Sequence, residues 1–143
     1  MTRRMWMAGF CVLLLLGGCG PRGGGAKPGT YPVSGKVVRA DGQPLPGGVV
    51  VFHPKDPPGN EAMGHVEKDG TFQMGTFGKA DGVIPGRYAV TVEPLAVRSP
   101  GGQGRQDPSA PFIPQRYWSE STSPLPVIEV RAGENNLPPF RLQ

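Results

Sequence analysis

Short bursts in which apolar and polar residues alternate run along most of this chain, and each burst predicts a strand. Val33 to Arg39 places Val33, Gly35 and Val37 on one face and Ser34 and Lys36 on the other. Gly47 to His53 (GGVVVFH) is apolar on both faces, as a central strand would be. Ala62, Gly64 and Val66 alternate with Met63, His65 and Glu67, and Phe72 and Met74 share one face of Thr71 to Met74. Arg87 to Glu93 is the cleanest case, with Tyr88, Val90 and Val92 inward and Thr91 and Glu93 outward. Val127 to Arg131 and Leu137 to Leu142 complete the set, joined by a turn at Gly133-Glu134-Asn135-Asn136. Turn-forming pairs fall between the bursts at Asp41-Gly42, Asp69-Gly70 and Asp81-Gly82. Seven short strands and no helical period predict an all-β domain, a seven-stranded β-sandwich over residues 31–143. Residues 95–125 are the one stretch the pattern does not claim. Its first half is low in complexity, whereas Phe112, Ile113, Tyr117 and Trp118 make the second half too apolar for a free linker.

The first 18 residues follow a different pattern. Arg3 and Arg4 precede an apolar run from Met5 to Leu16, and Gly17-Gly18-Cys19 closes it. A charged start, a short apolar core and small residues at the end read as a secretory signal peptide. About twelve apolar residues are too few to cross a bilayer core, which takes roughly 20 in a helix. Leu16-Gly17-Gly18-Cys19 resembles the lipobox of bacterial lipoproteins. The resemblance implies cleavage between Gly18 and Cys19, a diacylglycerol thioether on Cys19 and an acyl chain on its new amino group. Gly20 follows the cysteine, and the lack of aspartate there resembles outer-membrane sorting in diderm bacteria. Residues 19–30 contain no apolar side chain larger than alanine after Cys19 and read as a flexible tether with a reach on the order of 20 Å. The expected location is the cell envelope, held to a membrane by lipid.

Composition changes this picture in two ways. The chain has 23 glycines and 18 prolines in 143 residues, a level at which disorder competes with folding, but most of them sit at turns between the strands. The two cysteines are Cys11, inside the signal peptide, and Cys19, so no disulfide is expected in the mature domain. A formal charge of +4 falls to +2 without Arg3 and Arg4, and no run of Lys or Arg supports nucleic-acid binding.

The segments SGKVVRADGQPLPGGVVVFHP, KDGTFQM and IPGRYAVTVEP resemble the carboxypeptidase regulatory-like domain. That resemblance implies a transthyretin-like (prealbumin-type, Ig-like) sandwich. Together with the lipobox, IPQRYWSESTSPL and VRAGENN, it makes the chain similar to small lipoproteins of planctomycete-type bacteria, with 96–111 as an unmatched insertion. The same sandwich occurs in intradiol dioxygenases, whose iron takes tyrosine and histidine ligands. Tyr88 lies in a similar context, yet no histidine follows His65. The related ureide hydrolases carry a Tyr-Arg-Gly-Ser tail where this chain has Phe140-Arg141-Leu142-Gln143.

No cofactor, metal or catalytic role emerges from the remaining motifs. Asp41, Asp69 and Asp81 each precede glycine, which turn chemistry explains without calcium. His53 and His65 have no partner at metal-ligand spacing, and neither G-x-S-x-G nor a phosphate loop occurs. The candidate contact patch is Arg116-Tyr117-Trp118, since aromatics beside arginine are enriched at interfaces. The competing role for Ile113, Tyr117 and Trp118 is to plug an open end of the sandwich. The sequence thus predicts a non-catalytic, lipid-anchored binding module for an envelope protein or glycan. The alternatives are a spacer or coat component without a discrete site and, more remotely, a metal-dependent module.

Overall fold

The computed structural model describes residues 29–57, 59–95 and 107–143. The expected signal peptide 1–18 with its cleavage site after Gly18, the expected lipidation at Cys19, residues 19–28 of the expected tether and residues 96–106 of the insertion lie outside the described residues. The domain is all-β, and the described residues form eight strands in two four-stranded sheets. Among the described residues no helix is long and apolar enough to cross a membrane.

The first sheet is built around β1 (Val33–Val38), with β4 (Thr71–Gln73) antiparallel on one side. On the other side β7 (Asn135–Asn136) and β8 (Phe140–Arg141) pair with β1 in succession, both parallel to it. The second sheet runs β3 (Ala62–His65), β2 (Val49–Pro54), β5 (Gly86–Glu93), β6 (Ile128–Val130), antiparallel throughout. β2 lies inside its sheet, which accounts for apolar residues on both of its faces. The inward residues of both sheets meet in a single core that holds Val33, Val37 and Phe72 from one side and Val50, Phe52, Tyr88, Val90 and Val92 from the other. Gly35 is where the core comes closest to the β1 main chain: a Cβ there would lie 2.6 Å from the Phe72 ring. That ring stacks on Phe140, 5.9 Å between centroids, and so ties the two flanks of β1 together. Tyr88 packs against Phe52, and its hydroxyl donates to the Ile84 carbonyl at 2.7 Å.

The strand expected at Leu137–Leu142 is reduced to β8, because Pro138 and Pro139 have no N–H to give to β1, and the expected turn at Gly133–Asn136 instead supplies β7. The ladder resumes on either side of them, with Leu137 N–H on Ser34 O and Leu142 N–H on Val38 O, both at 2.9 Å. Thr91 departs from expectation too. It lies on the opposite face of β5 from Val90 and Val92 but is fully buried, with its hydroxyl 3.0 Å from His53 Nε2. Thr30 belongs with the domain and not with the tether: it is buried and donates to the Asp81 carbonyl at 2.6 Å.

The described part of the 95–125 stretch is ordered by its own chemistry. The Asp107 carboxylate accepts from the Leu95 and Ser109 main-chain N–H groups and so pins the two ends of the insertion together. Two single 3₁₀ turns follow, Ala110–Phe112 and Gln115–Tyr117, and they deliver Ile113 and Tyr117 into the core.

Candidate functional site

β3 and β4 are joined by the Lys68-Asp69-Gly70 turn, yet they belong to different sheets. Gly70 takes φ +81°. The Asp69 carboxylate accepts from Thr71 N–H at 3.0 Å and from the Thr71 hydroxyl at 2.6 Å, and these bonds hold its pKa below the ordinary 3.8. The hairpin therefore bridges the sandwich at one edge. Met63 and Gly75 exchange both main-chain hydrogen bonds at 2.9 Å, which closes that edge.

Outward side chains of this hairpin form one side of a cleft of about 610 Å³. Met63, His65 and Glu67 come from the β3 side, and Thr71 and Gln73 from β4. The facing wall is the loop from Gly75 to Ala80, which brings Phe77 and Lys79. Met63 is 57% exposed and Phe77 54%, so the cleft presents two large apolar side chains to solvent. Its ionisable groups are one carboxylate (Glu67), one ammonium (Lys79) and one imidazole (His65).

The wall is braced from behind by Asp81. Its buried carboxylate accepts from Thr76 N–H at 2.9 Å and Phe77 N–H at 3.2 Å. The Thr76 hydroxyl donates to Gly82 O at 2.9 Å, and Tyr31 and Val83 exchange main-chain hydrogen bonds at 2.9 Å beside it. The first described residues of the domain are thus part of the cleft's support.

The residues singled out from sequence are split by the fold. Tyr117 is 1% exposed and plugs the sandwich, its hydroxyl oxygen accepting the Gln143 N–H at 2.8 Å. It offers no ring to a partner. Arg116 lies on the surface with its guanidinium 5.3 Å from the Tyr117 ring centre, and it donates to the Gln143 main-chain oxygen. Trp118 remains 41% exposed, with its indole N–H on Ile113 O at 3.2 Å. The patch is therefore Arg116 and Trp118 at most. A smaller hollow of about 210 Å³ lies between Arg39, Phe112 and Leu142, where Arg39 covers the Phe112 ring at 4.3 Å and pairs with Asp41 at 3.0 Å.

One arrangement has the outline of a hydrolytic relay. His53 Nε2 is 3.0 Å from the Thr91 hydroxyl, and its Nδ1 is 3.9 Å from Glu61. The Thr91 oxygen is sealed from solvent, so no carbonyl can approach it, and 3.9 Å is too long for the carboxylate to orient the ring by a hydrogen bond. The contact fastens β2 to β5. Asp41 and Asp69 use their carboxylates on main-chain N–H groups two residues ahead, whereas Asp81 reaches back to Thr76 and Phe77. Among the described residues no three His, Cys, Asp or Glu side chains group as a metal site.

No family model, curated protein or solved structure matches this chain.

Proposed function

We propose that this protein is a binding module of the cell envelope, anchored by lipid on Cys19 and contacting its target through the cleft between the β3–β4 hairpin and the 75–80 loop. The carrying observation is that Met63 and Phe77 stay exposed over a cavity whose wall Asp81 fixes in place before any ligand arrives. Cavities of a few hundred Å³ with apolar walls and a few convergent polar groups are where ligands bind. Anchoring rests on the resemblance of Leu16-Gly17-Gly18-Cys19 to a lipobox, and a prealbumin-type, carboxypeptidase regulatory-like domain on the motifs around Asp41-Gly42, Asp69-Gly70 and Tyr88. Gly20 after Cys19, where an aspartate is lacking, resembles outer-membrane sorting and supports an outer-membrane location. Three acyl chains would hold it there far more firmly than one. We read the module as non-catalytic, because the relay-like contact found among the described residues has a buried hydroxyl.

The test is site-specific photo-cross-linking in intact cells, with benzoylphenylalanine at position 77 or at position 118 of the full-length, acylated protein. A discrete adduct from 77 and none from 118 is expected. Discrete adducts only from 118 would move the contact surface to Arg116 and Trp118. Diffuse adducts from both would leave a spacer without a discrete site.

A further inference from the structure

We infer that the cleft between the β3–β4 hairpin and the 75–80 loop takes an uncharged carbohydrate chain; this rests on the binding reading and names the ligand class. Three features of the cleft argue for it. The first is charge. Glu67 and Lys79 carry opposite charges, so the lining offers neither the cationic cluster that phosphate or sulfate needs nor an acidic cluster for a polycation.

The second feature is that β3 and β4, the edge strands of their sheets, are already tied to each other there by main-chain hydrogen bonds at Met63–Gly75 and Glu67–Thr71. An extended peptide captured on a sheet needs unpaired main-chain groups. Here β3 pairs with β2 on one side, Met63 exchanges both its main-chain hydrogen bonds with Gly75 on the other, and β4 pairs with β1. The third is the mixture of surfaces. The exposed faces of Phe77 and Met63 suit the C–H faces of a sugar ring. Gln73, Glu67, Thr71 and His65 supply donors and acceptors for hydroxyl groups from the opposite side. A carbohydrate carries both kinds of surface on one ring, whereas an apolar ligand would cover Gln73, Glu67 and His65 without offering them a partner. The volume of about 610 Å³ falls in the range occupied by small ligands and suits a segment of a few sugar units.

The experiment is a two-dimensional NMR titration of the full-length acylated protein in lipid nanodiscs, free of glycoside detergents. The probes are the β-1,4-linked trisaccharides of glucose and of N-acetylglucosamine, the α-1,4-linked trisaccharide of glucose, and a sulfated disaccharide. Saturable shifts confined to residues 63–80 with at least one neutral trisaccharide are expected, and weaker or no shifts with the sulfated probe. Phe77→Ala should weaken that binding roughly tenfold, about the loss of one aromatic face. Gln73→Ala should weaken it severalfold, and Trp118→Ala should leave it unchanged. Both cleft side chains point to solvent, so their variants should keep the parent's remaining spectrum. Absence of cleft shifts with every neutral sugar, or tighter binding of the sulfated probe, overturns the inference. If position 77 cross-links a protein while the sugars give no shift, the carbohydrate class fails and the binding module stands. If position 77 gives no adduct, the cleft is not the contact surface and the inference falls with the reading it rests on.

Discussion

Replacing Asp81 by alanine should release the cleft wall and destabilise the whole domain. The carboxylate accepts two main-chain N–H groups, Thr76 at 2.9 Å and Phe77 at 3.2 Å, and the residue is only 8% exposed. Hydrogen bonds to a charged group contribute about 1.5–3 kcal/mol each, and a buried donor stripped of its acceptor costs a similar amount. The longer Phe77 bond counts for less, and the freed loop can open so that water meets both amides. The loss should therefore fall at about 2–4 kcal/mol, below the plain sum. For a domain of this size that corresponds to a melting temperature lower by roughly 10 °C or more. Asp81→Asn keeps an oxygen acceptor in the same place and should lose about half as much. Urea denaturation followed by circular dichroism gives the free energies, and the amide resonances of Thr76 and Phe77 report the wall directly. If Asp81→Ala unfolds within about 0.5 kcal/mol of the parent and those two resonances do not move, the carboxylate does not brace the wall. The claim that the cleft is preformed then fails with it.

Tyr88→Ala should destabilise by about 3–5 kcal/mol, and Tyr88→Phe by about 1 kcal/mol through the lost bond to Ile84, both read by urea denaturation; near-neutral alanine data would mean that β5 does not turn this face inward. Arg87 donates two hydrogen bonds to Asp56 and so holds that carboxyl below its ordinary 3.8, and Lys55 donates one to Glu120 and holds it below its ordinary 4.5. Carboxylates with depressed native pKa values contribute stability that is present above the unfolded value and lost as pH falls through the native one. The urea midpoint should accordingly hold steady from pH 7 to 5 and decline below about 4, and a midpoint that rises between pH 5 and 3 would contradict the ion pairs. Burial raises the Tyr88 hydroxyl pKa above its ordinary 10, so stability should also decline at strongly alkaline pH, where an unfolding titration followed at 295 nm would register it. Cys19→Ala should abolish fatty-acid labelling and leave residues 1–18 attached in the mass spectrum; normal processing of that variant would remove the lipoprotein reading.

The all-β architecture was legible because period-two alternation survives wherever one face of a strand is buried, as at Tyr88, Val90 and Val92. The turn aspartates were legible too, because aspartate before glycine specifies local geometry and needs no distant partner. What lay hidden depends on contacts across the chain. Thr91 looks outward by period yet is buried against His53 on a neighbouring strand. Pro138-Pro139 stood in plain view, but only the parallel pairing of β7 and β8 with β1 shows which main-chain donors they withhold. Arg116-Tyr117-Trp118 reads as one patch along the sequence, whereas a 3₁₀ turn sends Tyr117 inward and leaves its neighbours outside. The cleft went unread for the same reason. Met63 was placed on the outward face, and Phe77 sits in a glycine-flanked loop, but nothing local says that Asp81 folds that loop back over the β3–β4 hairpin. An outward methionine and a loop phenylalanine a few residues from a strand crossover were the available signal.

Radical footprinting in intact cells tests the binding account most directly, because it registers an occupant of any chemistry. Oxidation of Met63 and Phe77 in cells producing the acylated protein is compared with that in the purified protein, with Trp118 and Val127 as exposed references. The account predicts strong protection of Met63 and Phe77 in cells and unchanged oxidation of Val127 and Trp118. Equal oxidation of Met63 and Phe77 in cells and in isolation would show an empty cleft and contradict it.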